Sequence, residues 1–379
     1  MKILQICAAY KPAVIYGGPT MSVSKLSEEL VKAGCEIEVF TTTANGPDEL
    51  PVRAGEATLV DEVKVVYFKR LTGDHTHYSP DLMTAMREHV KRFDVVHIHA
   101  WWNLVSLLAC RIAVKQGVPV VVSPRGTLSS YSFNNKNSLP KKLIHILLGK
   151  NLLEKSSIHV TSDREEKAMK NLIGSREIFN IPNFVTLPGE LAQAPDVNNG
   201  PLKLIFFSRI EEKKGLELLL EALRNIGISY RLTIAGDGEQ TYVAELKALA
   251  KKNGVAPNAG WIGFRTDDKF QVLQRHDLFV LPSYDENFGN SVIESLVTGT
   301  AVLISSNVGL SDYVKKSRLG WVCEQEVSSL REHIITIAGN RDELLRIREK
   351  APGIIRDDFN DEMLIQKYIG MYQEVMADV

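Results

Sequence analysis

The chain has 379 residues, with 45 Lys and Arg against 46 Asp and Glu, for a formal net charge of −1. At roughly 100–200 residues per domain this length predicts two or three domains, and 44% apolar with 24% charged residues excludes disorder as the dominant state. Near-neutral charge excludes a general nucleic-acid binder, although residues 95–153 hold seven Lys or Arg and no Asp or Glu.

In chain order, Lys2–Cys7 reads as a strand, and Gly17-Gly18 precedes an amphipathic helix over Thr20–Ala33, closed by Gly34. Strands follow at Glu36–Thr41, Val63–Phe68, Val95–His99, Val118–Ser123 and Ile158–Thr161, with helices at Pro80–Arg92, Asn103–Lys115 and Ser138–Lys155 between them. Ser162-Asp163-Arg164-Glu165 has capping-box spacing for another helix. Strands alternating with helices predict βαβ units and parallel sheets. Residues Ile181 to Pro201, rich in Pro, Gly and Asn, read as a linker. The pattern then restarts, with strands at Leu202–Ser208, Arg231–Ala235, Gly260–Ile262, Asp277–Pro282 and Ala301–Ser305. Helical patterns at Gly215–Ile226, Glu239–Asn253, Asp267–Arg275 and Asn290–Val297 separate them, and Asp361–Val379 reads as a closing helix.

Cys7, Cys35, Cys110 and Cys323 show no C-x-x-C spacing, which disfavours a zinc site or a disulfide framework and predicts a reducing cytoplasm. The N-terminal apolar run meets Lys11 too soon for a secretory leader, and no run approaches the ~18–20 apolar residues of a membrane span.

Chemistry concentrates where strands of the second half end, the usual ligand position in open α/β sheets. Arg209 and Lys214-Gly215 flank a strand-to-helix turn, so two cations can converge on one anion. A solvated loop is the alternative, since Glu211, Glu212 and Lys213 intervene. Further on, Glu286 lies in a polar loop, Phe288-Gly289 follow, and a helix opens near Asn290 with Glu294 in its second turn. Two carboxylates also suit a glycosidase. The adjacent cations favour carboxylates that accept sugar hydroxyls beside a bound diphosphate.

Arg209…Lys214-Gly215 with Glu286-x7-Glu294 resembles the signature of retaining glycosyltransferases of family four. Gly17-Gly18, Val96-His97-Ile98-His99, Ile181-Pro182-Asn183 and Ala235-Gly236-Asp237-Gly238 also sit where that family keeps similar motifs. The resemblance implies a GT-B fold, two facing Rossmann-like domains with a cleft between them. Their expected bounds are 1–183 and 184–360, with 361–379 returning to the first. It implies that Arg209 and Lys214 bind the donor diphosphate, Glu286 a donor-sugar hydroxyl, and Glu294 the nucleotide ribose. Backbone around Phe288, Gly289 and Asn290 would complete the cradle, Gly17 and Gly18 would approach the phosphates, and Ile262 and Phe264 would lie near the base. The chain departs from the family at Ser123-Pro124-Arg125-Gly126, where many members carry histidine, at Asn287 in place of glycine, and at Asp312 in place of glutamate.

The implied reaction is transfer of a hexosyl or N-acetylhexosaminyl group from a UDP- or GDP-sugar to a glycan acceptor, lipid-linked by preference, with retention. No Asp-x-Asp occurs, so no metal or other cofactor is expected. Rival readings are a sugar-nucleotide 2-epimerase and a non-catalytic sugar-binding protein. A nicotinamide dehydrogenase lacks its G-x-G-x-x-G after the first strand.

His97 and His99 share one strand face, and with Arg125 they are the acceptor-side candidates; the alternative is a pair of satisfied core histidines. Asp74-His75-Thr76-His77 forms a polar loop that contacts either acceptor or water. The predicted Ser138–Lys155 helix carries apolar residues on two faces beside Lys141 and Lys155, which makes an anionic membrane surface a candidate partner and snorkelling lysines on a buried helix the alternative. The expected location is cytoplasmic, peripheral to the inner membrane face.

Overall fold

The computed structural model describes residues 1–129, 131–132, 148–173, 177–189, 191 and 200–377. The chain divides into two compact units, Met1–Phe184 with Asp361–Val379, and Val185–Asn360.

The first unit is built on an eight-stranded sheet. Its strands are β1 (Lys2–Ile6), β2 (Glu36–Thr42), β5 (Ala57–Val60), β6 (Val63–Phe68), β7 (Val95–His99), β8 (Val120–Ser123), β9 (Ser157–Val160) and β10 (Ile178–Asn180); a two-stranded hairpin, β3 (Ala44–Asn45) and β4 (Asp48–Glu49), stands apart. The order is β10-β9-β8-β7-β1-β2-β6-β5. All pairings are parallel except β5 on β6, so the expectation of purely parallel sheets fails at this one edge. Alternate residues feed opposite layers. Leu4, Phe40, Val96 and Val122 pack with Leu82, Met86, Val105 and Cys110 of helices Pro80–His89 and Leu104–Lys115. Ile3, Val39, Val95 and Val121 pack on the other side with Leu26 and Leu30 of helix Gly18–Lys32 and with Leu364, Tyr368 and Tyr372 of helix Asp361–Ala377.

Caps follow from side-chain chemistry. Ser79 accepts from the backbone N–H of Leu82 (3.4 Å) and Asn103 from that of Ser106 (2.8 Å). Ser162 accepts from the Glu165 N–H at 3.2 Å, as its capping-box spacing predicts. Ile181, Phe184 and Val185 are buried, so the expected linker begins as packed core. Of the Ser138–Lys155 helix, residues 138–147 lie outside the described residues; Lys150–Glu154 is helical, with Leu152 and Leu153 buried.

The second unit is a six-stranded, all-parallel sheet, formed by β11 (Leu202–Phe207), β12 (Tyr230–Ala235), β13 (Ala259–Gly263), β14 (Leu278–Leu281), β15 (Ala301–Ser305) and β16 (Gly320–Cys323). Its order is β13-β12-β11-β14-β15-β16. Strands β14 and β15 are buried throughout, as a sheet covered on both faces requires. Strands β10 and β16, and helices Ser311–Ser317, Val327–Gly339 and Arg341–Asp358, add to the elements read from the sequence. Among the described residues, no helix is long and apolar enough to cross a membrane.

Candidate functional site

Loops at the carboxyl ends of β11, β12, β14 and β15 interlock in the second unit. After β11, a 3-10 turn at Glu212–Lys214 leads to Gly215 with φ 69°, and helix Leu216–Ala222 follows. A Cβ on Gly215 would stand 2.2 Å from the carbonyl oxygen of Pro282, so only glycine lets this turn lie against the loop after β14. The Tyr284 N–H donates to the Lys213 carbonyl at 2.9 Å, which closes the same contact. On the other flank, Glu286 donates its N–H to Asn307 (3.1 Å) and accepts from Gly309 (2.8 Å), both in the loop after β15. Gly236 after β12 is equally constrained, since a Cβ there would meet the Ser208 carbonyl oxygen at 1.9 Å.

This clasp brings the predicted residues together. Lys214, buried, donates to the Glu286 carboxylate, and Lys213 pairs with Asp285 at 3.1 Å. Arg209 is more open and pairs with Glu211 at 2.7 Å. Burial pushes the Glu286 carboxyl upward, but Lys214, Lys213 and Arg209 outweigh it and hold the group below the ordinary glutamate value. The carboxylate is therefore ionised, with Lys214 in contact and Lys213 and Arg209, each paired elsewhere, acting from further away. Glu294, in helix Asn290–Leu296, accepts from Lys269 at 2.7 Å. Gly289, with φ 100°, precedes that helix. Phe288 points into the core, where its ring meets Phe359 edge-on at 6.2 Å, so it can offer a ligand only its backbone. Ile262 is half-buried at the end of β13, and Phe264 stands 62% exposed beyond it.

In the first unit, Gly17 takes φ 66° and precedes helix Gly18–Lys32, so Gly18 is the first helical residue. His97 and His99 do not line an acceptor surface. They are 0% and 2% exposed because β7 turns this face toward helix Asp361–Ala377, and both are hydrogen-bonded. That corrects the acceptor-side expectation in favour of satisfied core histidines. Arg125, with φ 51° just past β8, is partly exposed; its Nη1 donates to the Asn183 side chain at 2.8 Å. His77 of the polar loop is also buried, and burial lowers its imidazole to about 4, helped by Arg70 and His75.

Gln5, Ser123, His159 and Tyr372 were missed from the sequence, and they share a hydrogen-bonded cluster with His97 and His99. Their signal was present, since Gln5 and His159 each interrupt an apolar strand with a polar side chain and Ser123 ends one. Among the described residues, no group of three or more His, Cys, Asp or Glu could hold a metal ion.

Residues 16–187 match the model of Glycosyltransferase Family 4, and residues 189–353 match that of Glycosyl transferases group 1. The chain is a glycosyltransferase of GT-B fold, with a family-four domain followed by a group 1 domain. This glycosyltransferase is 27% identical over 357 residues to an uncharacterized glycosyltransferase of Methanocaldococcus jannaschii, covering 87% of each chain. It is 26% identical over 348 residues to a glycogen synthase of Mycobacterium tuberculosis, covering 85% of this chain and 82% of that one. The Anabaena HepE structure in complex with UDP and glucose shares its fold at TM-score 0.76 and 18% identity, over 99% of this chain and 100% of that one.

Proposed function

We propose that this glycosyltransferase moves a hexosyl or N-acetylhexosaminyl group from a UDP- or GDP-sugar to a glycan acceptor, with retention and without a metal. One observation carries the reading: interlocked loops gather Arg209, Lys214 and an ionised Glu286 at the ends of adjacent strands. Departure of a nucleoside diphosphate places negative charge on its β-phosphate while the sugar becomes oxocarbenium-like. Fixed cations at that phosphate stabilise the transition state more than the ground state. In this reading Lys214 and Arg209 hold the diphosphate, and Glu286 accepts a donor-sugar hydroxyl while its charge keeps Lys214 oriented. Glu294 accepts from the ribose with the oxygen that Lys269 leaves open. Backbone at Phe288, Gly289 and Asn290 lines the phosphates, and Ile262 and Phe264 flank the base. The UDP held by the Anabaena protein supports a uridine nucleotide.

Arg125 is the acceptor-side group of this reading, now without His97 and His99. A lipid-linked diphosphate acceptor suits the basic residues of the acid-free stretch, Arg111, Lys115 and Arg125 among them. Thermal-shift screening with UDP-, GDP- and ADP-sugars, followed by nucleotide-release assays with and without acceptor, tests the assignment. UDP- or GDP-sugars should stabilise the protein, acceptor should drive nucleotide release, and EDTA should leave turnover unchanged. No stabilisation by any nucleotide sugar would refute transfer, release without acceptor would indicate hydrolysis, and loss of activity in EDTA would refute metal independence.

A further inference from the structure

The first unit carries a continuous polar belt across four neighbouring strands, and the donor-side residues take no part in it. Gln5 of β1, His97 and His99 of β7, Ser123 of β8 and His159 of β9 are all at most 2% exposed, as is Tyr372 of helix Asp361–Ala377. In register, Gln5 stands beside His97 and His99 beside Ser123.

The two ends of this belt decide where its protons lie. At one end a guanidinium can only donate. Arg125 Nε approaches His99 Nδ1 at 3.1 Å, so that nitrogen is bare and His99 carries its proton on Nε2, which donates to Gln5 Oε1 at 2.6 Å. The Gln5 amide is thereby oriented, and its Nε2 donates to the Tyr372 hydroxyl at 3.4 Å. At the other end the Ile181 carbonyl can only accept, so His159 is protonated on Nε2 (2.9 Å). Burial and the nearby Arg125 charge keep His159 neutral, at about 3. Its bare Nδ1 accepts from Ser123 (2.5 Å), Ser123 accepts from His97 Nε2 (2.6 Å), and His97 Nδ1 accepts from Tyr372 (2.7 Å). Every donor points the same way, from Arg125 through His99, Gln5, Tyr372, His97, Ser123 and His159 to Ile181.

Arg125 itself bonds only the neutral acceptors His99 and Asn183 among the described residues, and its Nη2 is shielded without a partner there. Glu165, the nearby carboxylate, is bonded by the N–H groups of Gly126 (2.7 Å) and Thr161 (3.0 Å). With no direct ion pair to anchor it among the described residues, Arg125 is held by Asn183 at Nη1 and, at Nε, by a His99 whose Nδ1 must be bare.

We propose that Gln5 and Tyr372 are positioning residues that lock the His99 proton on Nε2, keep its Nδ1 a bare acceptor, and so hold the Arg125 guanidinium in place for the acceptor substrate. This rests on the acceptor role given to Arg125 above. Loss of the Tyr372 hydroxyl frees the Gln5 amide to flip. His99 can then carry its proton on Nδ1, opposite the Arg125 Nε–H, and two donors 3.1 Å apart repel.

The test uses the full chain with 15N-labelled histidine and the variants Tyr372→Phe and Gln5→Met, both close to the original in shape. In the wild type, His97, His99 and His159 should all show the neutral Nε2–H tautomer. In each variant His99 should move toward Nδ1–H, and kcat should fall by about tenfold to a hundredfold, the scale of a misplaced contact group, with donor KM within about twofold. A His99 that keeps its tautomer in a folded variant, or a kcat within about twofold of wild type, overturns the proposal. Wild-type protein without turnover would fail the transfer reading alone, because the histidine spectra decide the chain of donors with or without activity.

Discussion

Replacing Lys214 by methionine keeps the buried stem and removes only the charge. Its side chain is 11% exposed and that of Glu286 20%, so the variant leaves a largely desolvated carboxylate with weaker, more distant cations. Breaking a buried pair from one side costs about 3–5 kcal/mol, and the wet fifth of the carboxylate trims this to roughly 2–4 kcal/mol. In a domain of this size that lowers Tm by roughly 5–15 °C. The pH dependence has a definite sign. The wild-type carboxyl is held below its unfolded value, so its contribution is present above about pH 4.3 and is lost as the pH falls through the folded value. Without Lys214, burial dominates and raises the carboxyl. The stability gap between wild type and variant is therefore smallest below the folded wild-type value and widens as the pH rises to 6. The double variant Lys214→Met/Glu286→Gln leaves no stranded charge and should recover stability to within about 1 kcal/mol. Turnover should not recover, because a fixed positive group at the leaving phosphate is worth roughly 10²–10³ in kcat. Urea unfolding at several pH values and a nucleotide-release assay measure the two effects separately. A single variant as stable as wild type, or a double variant that turns over normally, would refute the reasoning.

Gly215→Ala should destabilise the second unit by at least about 1–2 kcal/mol, the cost of a left-handed alanine, before the clash with Pro282 is counted; a Tm equal to wild type would show that the two loops are not clasped. Burial holds His77 at about 4 and His159 at about 3, and holds His97 and His99 well below their usual value. These folded values are depressed, so stability is full above about pH 6.5 and falls below it, by about 1.4 kcal/mol per pH unit for each histidine. Equilibrium unfolding between pH 4.5 and 7 reads the slope, and a flat profile would contradict the buried, neutral assignment. Leu364→Ala removes a fully buried side chain from helix Asp361–Ala377 and should cost about 2–5 kcal/mol in urea unfolding.

Much of this was legible in the sequence for identifiable reasons. Parallel strands covered on both faces must be apolar runs, and those of β1, β7, β14 and β15 are visible as such. Strand β16 escaped because it is four residues long and begins with glycine, and β10 because it has three. The meeting of Lys214 with Glu286 followed from where strands end. Reading His97 and His99 as acceptor-side groups failed because alternation shows which residues share a face, not what covers that face. Its cover is helix Asp361–Ala377, distant in sequence, and the Tyr372 hydroxyl at 2.7 Å turns a pair of apparent cleft residues into core.

That helix also sets the order in which the first unit can be completed during synthesis. Its packing layer contains Leu364, Tyr368, Met371 and Tyr372, which are made only after all of Val185–Asn360. At 5–20 residues per second the ribosome takes roughly 10–35 s to cross that interval. Throughout it, the sheet face that carries Ile3, Val39, Val95 and Val121 has helix Gly18–Lys32 but lacks the part of its cover that the later helix supplies. The second unit has every strand it needs by then, so it can finish before the first. A chaperone that shields apolar surface would find its substrate in that half-covered sheet, and release would come with the last helix rather than with the sheet itself.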